Sequence, residues 1–426
     1  MFNLLIFLAI VIRLILMPIT VHPDLFFINM FPNLFYSQGV WEIFSFIDEN
    51  FPATRLSYYT LFTYYSFALF QFPYHFISDS FSKWMTDLYQ FYINRTEIAY
   101  TKDYLQEVTN AFLFRDIFLA KIPYLIADLA SLIILFKFIK SRYLKPKAIL
   151  VWLFAPVIIY STYMHGQYDI IPSFFVLLGF FLLKRKTYPA LIAFGVAAAF
   201  KNYSLLFVLI ISLVYGKSVA EKIKMILIGC VPYAISLVPV VINDPQLAIY
   251  SIFPKPYFQT SALLSGWPLV SRYLHLAILI LFQLLILLVA YVIRTKDKWQ
   301  RALGLSLAAI LFVLTFAPLV VFHYLLWALP LLVLWVRNIK KLFLFTAAQT
   351  LFATSFMLLA NHVQLGLFAP VDNQYFSNLA TFNQVIDRFF PYWVISSTGY
   401  FAFVITNLSL CTAVFVKLLF KNNVKS

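Results

Sequence analysis

Charge is scarce in this chain, and acid is scarcer than base. Only 12% of the 426 residues are charged, with 17 Asp and Glu against 32 Lys and Arg. Soluble domains carry roughly twice that share of charge. No long polar stretch exists here to build a soluble domain. Cysteine is nearly absent. Cys230 and Cys411 both lie inside apolar runs, which excludes a disulfide frame and a thiolate metal cluster. No Walker A loop, GxGxxG turn, HExxH helix, CxxC pair or haem attachment site occurs, so the familiar nucleotide, zinc-protease and redox signatures are all missing.

What fills the chain instead is apolar. Hydrophobic residues make up 62% and the mean hydropathy is +0.85. That composition defines a polytopic membrane protein, an all-α helical bundle. The net charge of +15 would point a soluble protein toward nucleic acid. Here the Lys and Arg gather in short loops between apolar runs, so the expected partner is the lipid bilayer and not nucleic acid. Richness in Phe, Ile, Tyr and Lys fits an AT-rich bacterial genome.

Read in order, residues 2–20 form a first span, retained because it lacks a basic leader and an A-x-A site. Arg13 lies within it and must face protein or water. Residues 22–57 are amphipathic and read as interfacial helices in a first outer loop. Residues 58–77 are apolar, residues 78–110 polar, and residues 117–139 a clear span ending in a basic loop. If residues 58–77 crossed fully, that basic loop would fall outside, so they are expected not to cross. Residues 188–200 and 203–215 lie between two basic loops. They are expected to enter and return as a hairpin with Lys201 at its tip. Residues 243–268 and 361–391 read as outer loops that choose an acceptor. In all, roughly 11–13 membrane segments are expected, in a single unit of residues 1–426 with a core at 1–340 and C-terminal spans at 341–426.

A few polar residues stand out against this background. Asp24 follows the first span in Val21-His22-Pro23-Asp24-Leu25. A carboxylate at a membrane face suits a general base acting on a hydroxyl; its plainer use is to cap the following helix. Lys201 suits a developing phosphate charge, or else a structural ion pair with Asp128 or Asp169. His323, followed by Tyr324, could bond a phosphate or hydroxyl, or be a satisfied core histidine. Gln167 and Asp169 sit on a tight Gly turn and could line the same cavity, although Asp169 could simply cap a helix. Lys121 and Asp128 lie two turns apart on one helix, suited to an internal salt bridge. Arg55, beside an aromatic run, could reach a phosphate from the interface.

Their order is similar to a known pattern. His22-Pro23-Asp24 follows span one. Lys121-Ile122-Pro123 leads to Asp128-Leu129, and Ala155-Pro156 leads to His165-Gly166-Gln167-Tyr168-Asp169. Phe200-Lys201 and then His323 with Trp327 and Pro330 complete the series. Over residues 2–334 the chain resembles the GT-C superfamily of membrane glycosyltransferases, most of all bacterial relatives of the GPI and dolichol-pathway mannosyltransferases. The resemblance implies transfer, with inversion, of a hexose (mannose or glucose) from a polyprenyl-phosphate donor, without a nucleotide sugar. The acceptor would be a glycolipid, polysaccharide or protein at the outer membrane face. It implies Asp24 as base. Lys201, His323 and Arg55 would then bind the donor phosphate, while His22, Gln167, Asp169 and Tyr324 contact sugar or acceptor. Many members carry a second acidic residue near the first. Here Asp24 is followed by Leu25, Phe26 and Phe27, so one carboxylate must suffice and no metal cofactor is expected. The alternative, a transporter or flippase for lipid-linked sugars, would want an internal repeat between halves, and none is visible.

Overall fold

The computed structural model describes residues 2–50, 59–93, 103–105, 110–140, 146–243, 269–316, 321–336, 338–359, 365–380, 382–389 and 391–419. Among them the backbone is helical throughout, with no strand. Five helices are long and apolar enough to cross a membrane: Phe2–Ile19, Leu113–Lys140, Val219–Ile242, Lys298–Phe316 and Thr398–Leu419. Large apolar side chains point outward from them, Phe7, Ile235, Phe401 and Ile405 each more than 60% exposed. An outward apolar face is what lipid requires and water penalises.

The first helix, α1 (Phe2–Ile19), packs antiparallel to a long helix that returns later in the chain. Between them the chain forms a cap from α2 (Pro23–Ser37), α3 (Leu61–Gln71) and α4 (Asp79–Ile93), with the shorter helices Ile43–Asn50 and Tyr74–Ile77 beside them. Residues 58–77, expected not to cross, hold a helix broken before Pro73. α3 has 11 residues, about 16 Å at ~1.5 Å per residue, and ends before Pro73. α2 differs from expectation. It does not lie flat on a surface but is buried from Leu25 to Phe35 beneath α3 and α4. The residues that marked the stretch as amphipathic, Trp41, Glu42, Asp48, Glu49 and Arg55, all follow α2 in the sequence. Asn29 accepts from the Gln71 amide through its Oδ1 and main-chain oxygen, and Asn33 accepts from the Ser82 hydroxyl. The polar side chains of α2 therefore bond its neighbours.

The long return helix is α5 (Leu113–Lys140). Arg13 and Asp128 join it to α1 through a buried Nε–Oδ2 contact of 2.7 Å. The Trp152 indole and the Tyr163 hydroxyl also donate to Asp128, each at 2.7 Å. Asp128 thus has the internal salt-bridge role expected of it, but with Arg13 and not with Lys121. The chain then climbs through Pro146–Leu153 and a wide π-type segment, Ile159–Met164.

Four shorter helices follow, interleaved with full-length ones: α6 (Ile170–Leu182), α7 (Thr187–Phe200), α8 (Leu205–Tyr215), α9 (Val219–Asn243), α10 (Leu269–Val292), α11 (Lys298–Phe316) and α12 (Leu325–Trp335). α7 and α8 fold back on each other at Lys201, as expected. The Ser204 hydroxyl donates to the Phe194 carbonyl at 2.7 Å, and the Phe194 and Phe207 rings lie 6.1 Å apart. A continuous helix would separate residues 194 and 207 by about 20 Å. α13 (Ile339–Leu359) and α14 (Tyr392–Leu419) close the bundle against α11.

The two ends of the bundle differ in character. Lys184 lies over the rings of Phe138 and Trp299, Arg301 donates to the carbonyls of Ile293 and Val214, and Lys298 approaches Tyr215. These cations mark one end. The turns at residues 165–169, 201–204 and 321–324 gather toward the other.

Candidate functional site

Asp24 is held by the start of α2. His22 is the residue before the helix, and its Nδ1 accepts from the Asp24 amide at 3.2 Å. The carboxylate does not turn back to cap the helix; it faces the 165–169 turn. The Gln167 amide donates to Asp24 Oδ2. His165 Nδ1 lies 3.5 Å from the same oxygen and His22 Nδ1 3.6 Å. The two imidazoles stack with ring centres 3.5 Å apart. The Asp24 side chain is 30% exposed, His22 21% and His165 4%, so the carboxylate opens to one side of a closed wall.

Two local devices set this geometry. The first is Gly166, at φ +82°, where an added Cβ would meet Leu25 Cβ at 2.8 Å. Only glycine turns the chain this tightly against α2. The second is Lys121. Its ammonium donates to the carbonyls of Thr20 at 2.5 Å and Tyr163 at 2.7 Å. Each carbonyl lies two residues before one of the stacked histidines, so one buried cation aligns the segments that lead into both.

A second cluster lies on the other side of the same turn. Asp169 is fully buried. It accepts from the Trp327 indole at 2.6 Å, with Lys201 Nζ at 3.5 Å and His323 Nε2 at 3.8 Å. Lys201 is also surrounded by rings, its ammonium 5.0 Å from the centre of Tyr168, 4.9 Å from Tyr324 and 5.7 Å from Trp327. Trp327 stacks between Tyr203 and Tyr324. Of the two structural pairings open to Lys201, the structure makes the one with Asp169.

The candidate residues fall into place accordingly. His22, Asp24 and Gln167 meet directly. Lys201, His323 and Tyr324 meet around Asp169. Asp169 has its side chain at 0% exposure, with its oxygens facing Trp327, Lys201 and His323. It does not cap α6 through its side chain. Arg55 lies outside the described residues. His165 and Lys121 both stand in the motif series but were given no role at the site. The turn sequence His165-Gly166-Gln167 was the signal for His165. Lys121 read as part of an internal salt bridge, because nothing local marks its partners, which are backbone carbonyls 101 and 42 residues away.

A later segment reaches the same place. The Val21 amide, three residues before Asp24, donates to the Leu367 carbonyl at 2.9 Å. The run at residues 365–372 belongs to the second loop expected to choose an acceptor, and it borders a cleft of about 920 Å³ lined by Lys83, Trp84, Asp87 and Asn373.

Compared with protein-family models, the chain matches none, and no curated protein matches it either.

Proposed function

We propose that the chain is a multi-pass membrane glycosyltransferase of GT-C-like topology. It moves a hexose, mannose or glucose, with inversion from a polyprenyl-phosphate donor to an acceptor at the extracytoplasmic face of a bacterial plasma membrane. The observation that carries this reading is the turn at residues 165–169. Through Gln167 and His165 it holds a partly exposed carboxylate, and through Asp169 it holds a lysine and a histidine. Gln167 and Asp169 are two residues apart, at most about 7 Å of chain. A base and an anion site that close together can face the two ends of one glycosyl transfer.

In the step, Asp24 takes the proton of an acceptor hydroxyl. The oxygen attacks the anomeric carbon from the face opposite the phosphate. The carbon–oxygen bond to phosphate breaks, and its electron pair leaves with the lipid phosphate. Lys201 and His323 face the negative charge that grows there, and a dry site makes such preorganised cations worth most. The basic loops then lie in the cytoplasm and the reactive turns at the other face.

The test uses purified protein in lipid with labelled polyprenyl-phosphate mannose and polyprenyl-phosphate glucose, a membrane extract as acceptor, and Asp24→Asn beside the wild type. Wild-type turnover of one donor, reduced about 10²–10⁴-fold in a folded Asp24→Asn, is the expected result. Turnover retained in Asp24→Asn removes Asp24 as base. Neither binding nor turnover of either donor overturns the class and favours a transporter.

A further inference from the structure

We infer that His22, Asp24 and His165 form a binding site for one divalent first-row transition-metal ion of the zinc type. Their ligand atoms all lie within 4.8 Å of one another. Both Nδ1 atoms approach the same Asp24 Oδ2, at 3.6 Å and 3.5 Å. Those separations are longer than N–H···O hydrogen bonds, which run about 2.7–3.2 Å. They are close to the spacing between neighbouring ligands on a tetrahedral ion with bonds of about 2.0–2.1 Å, which is roughly 3.3–3.4 Å. The stacked ring planes are inclined by only 25°, and both Nδ1 atoms lie on the carboxylate side.

The supports are those of a metal site. Gln167 donates to the Asp24 carboxylate, an outer contact that fixes a ligand's orientation. Lys121 pins the carbonyls two residues ahead of each histidine. The existing contact from the Asp24 amide to His22 Nδ1, at 3.2 Å, is at the long end of hydrogen bonding. Metal binding would replace it, while the Leu25 amide still donates to the His22 carbonyl at 3.0 Å and holds the helix start.

The donor set selects the ion. Two imidazoles and one carboxylate suit zinc and its neighbours; magnesium and calcium call for oxygen alone. Three protein ligands leave a further position open, the pattern of sites where metals do chemistry, not of closed structural ones. Asp24 and His22 are the partly exposed members, so the open position lies on their side. The expectation of no metal rested on the missing second acid beside Asp24; the nitrogen that completes this set comes from His165, 141 residues further along. If the proposed transfer is right, the acceptor hydroxyl binds at the open position, and the ion lowers its pKa while Asp24 Oδ1 receives the proton. That role rests on the proposed function. The site itself does not.

The experiment separates the two. Chelator-stripped full-length protein in nanodiscs is titrated with Zn²⁺ alone and with Co²⁺ alone. One equivalent per chain is expected, with the intense visible absorption of low-coordinate Co²⁺. In His22→Ala and His165→Ala the affinity should fall by more than the ~10–100-fold typical of an outer-shell residue. Lys201→Met, in the neighbouring cluster, should bind the ion unchanged. His165→Cys guards against misfolding. It should retain binding and add a sulfur-to-cobalt charge-transfer band, a signature that only direct ligation produces. Absence of stoichiometric binding, binding retained in the His22→Ala/His165→Ala double variant, or a His165→Cys protein without the sulfur band each overturns the site. Stoichiometric binding with donor turnover indifferent to a chelator keeps the site and removes its role in the reaction.

Discussion

Asp128→Asn is the sharpest test of how this bundle is held together. The substitution keeps shape and removes one charge. It strips the counter-ion from Arg13, which is 0% exposed and otherwise donates to the carbonyls of Ala9 at 2.9 Å and Leu153 at 2.8 Å. Asp128 also receives Trp152 and Tyr163, so one carboxylate ties α1, α5, the Pro146–Leu153 helix and the π-type segment together. Removing one partner of a buried ion pair costs about 3–5 kcal/mol, because the other charge stays buried without compensation. Native stabilities are only ~5–15 kcal/mol, so the single variant should lose about a fifth or more. Arg13→Met should do the same from the other side. The Arg13→Met/Asp128→Leu double variant removes both charges, and such replacements are often neutral or better. It should therefore be more stable than either single variant. The assay is the thermal midpoint of detergent-solubilised protein followed by size-exclusion, for the four members of the cycle. Additive losses, or two silent single variants, would refute the reasoning. Donor turnover per folded molecule should be unchanged in Asp128→Asn, since Asp128 touches neither Asp24 nor Lys201.

Other substitutions separate the site from its frame. Gly166→Ala should cost ~1–3 kcal/mol of backbone strain and lose donor turnover out of proportion, because Gln167 is carried away from Asp24; thermal midpoints and turnover measured together check this. Trp327→Phe keeps the stack with Tyr203 and Tyr324 but removes the bond to Asp169, a contact to a charged group worth ~1.5–3 kcal/mol; the donor KM should rise. Lys121→Met should disorder both stacked histidines at once and lower turnover without changing donor binding at Lys201, as read by donor titration. Gly195→Leu drives a side chain into the Gly229 carbonyl, 2.1 Å from the position a Cβ would take. It should part α7 from α9 and abolish recovery of monodisperse protein.

What could be read from the chain beforehand follows a physical line. Breaks in apolar runs are local, so the hairpin at Lys201 and the short stretch before Pro73 were legible from hydropathy and loop charge alone. A buried charge is also locally visible, and Arg13 announced that it needed protein around it. Its partner did not, because Asp128 is 115 residues away and nothing in either segment encodes the pairing. The same limit hid the partners of Lys121. A lysine seven positions from a carboxylate joins a salt bridge only if both face one neighbour, and here Asp128 was already taken by Arg13. α2 misled for another reason. The charges that marked residues 22–57 as interfacial, Glu42 to Arg55, all follow α2, whose own Asn29 and Asn33 form a polar face that meets a polar neighbour as well as water. Gln71 and Ser82 were the neighbours.

Helix length explains why the charged residues gather where they do. α6, α7, α8 and α12 have 13, 14, 11 and 11 residues. At ~1.5 Å per residue they reach about 16–21 Å, against a hydrocarbon layer of ~30 Å. A helix of that length starting at one face of the layer would stop about 9–14 Å short of the other. The turns that join them carry His165, Asp169, Lys201 and His323. A charge at that depth is tolerated only inside protein, which is why each of these groups is met by another and by aromatic walls. The full-length α1, α5 and α9 turn apolar side chains outward around them, while α11 is mostly buried within the bundle. In the proposed transfer, such a recess would admit a lipid-borne phosphate from the side and exclude most water, the condition under which an activated sugar goes to a hydroxyl acceptor and not to hydrolysis. Lengthening α8 by one turn, between Leu205 and Leu206, tests the point. It should lift the Lys201 turn by about 5 Å out of the Asp169 cluster, and donor binding should fail while the outer cap, α2 to α4, stays folded. Limited proteolysis beside donor titration reads both. Donor binding preserved in that insertion would show that depth, and with it the short-helix design, is not what places the anion site.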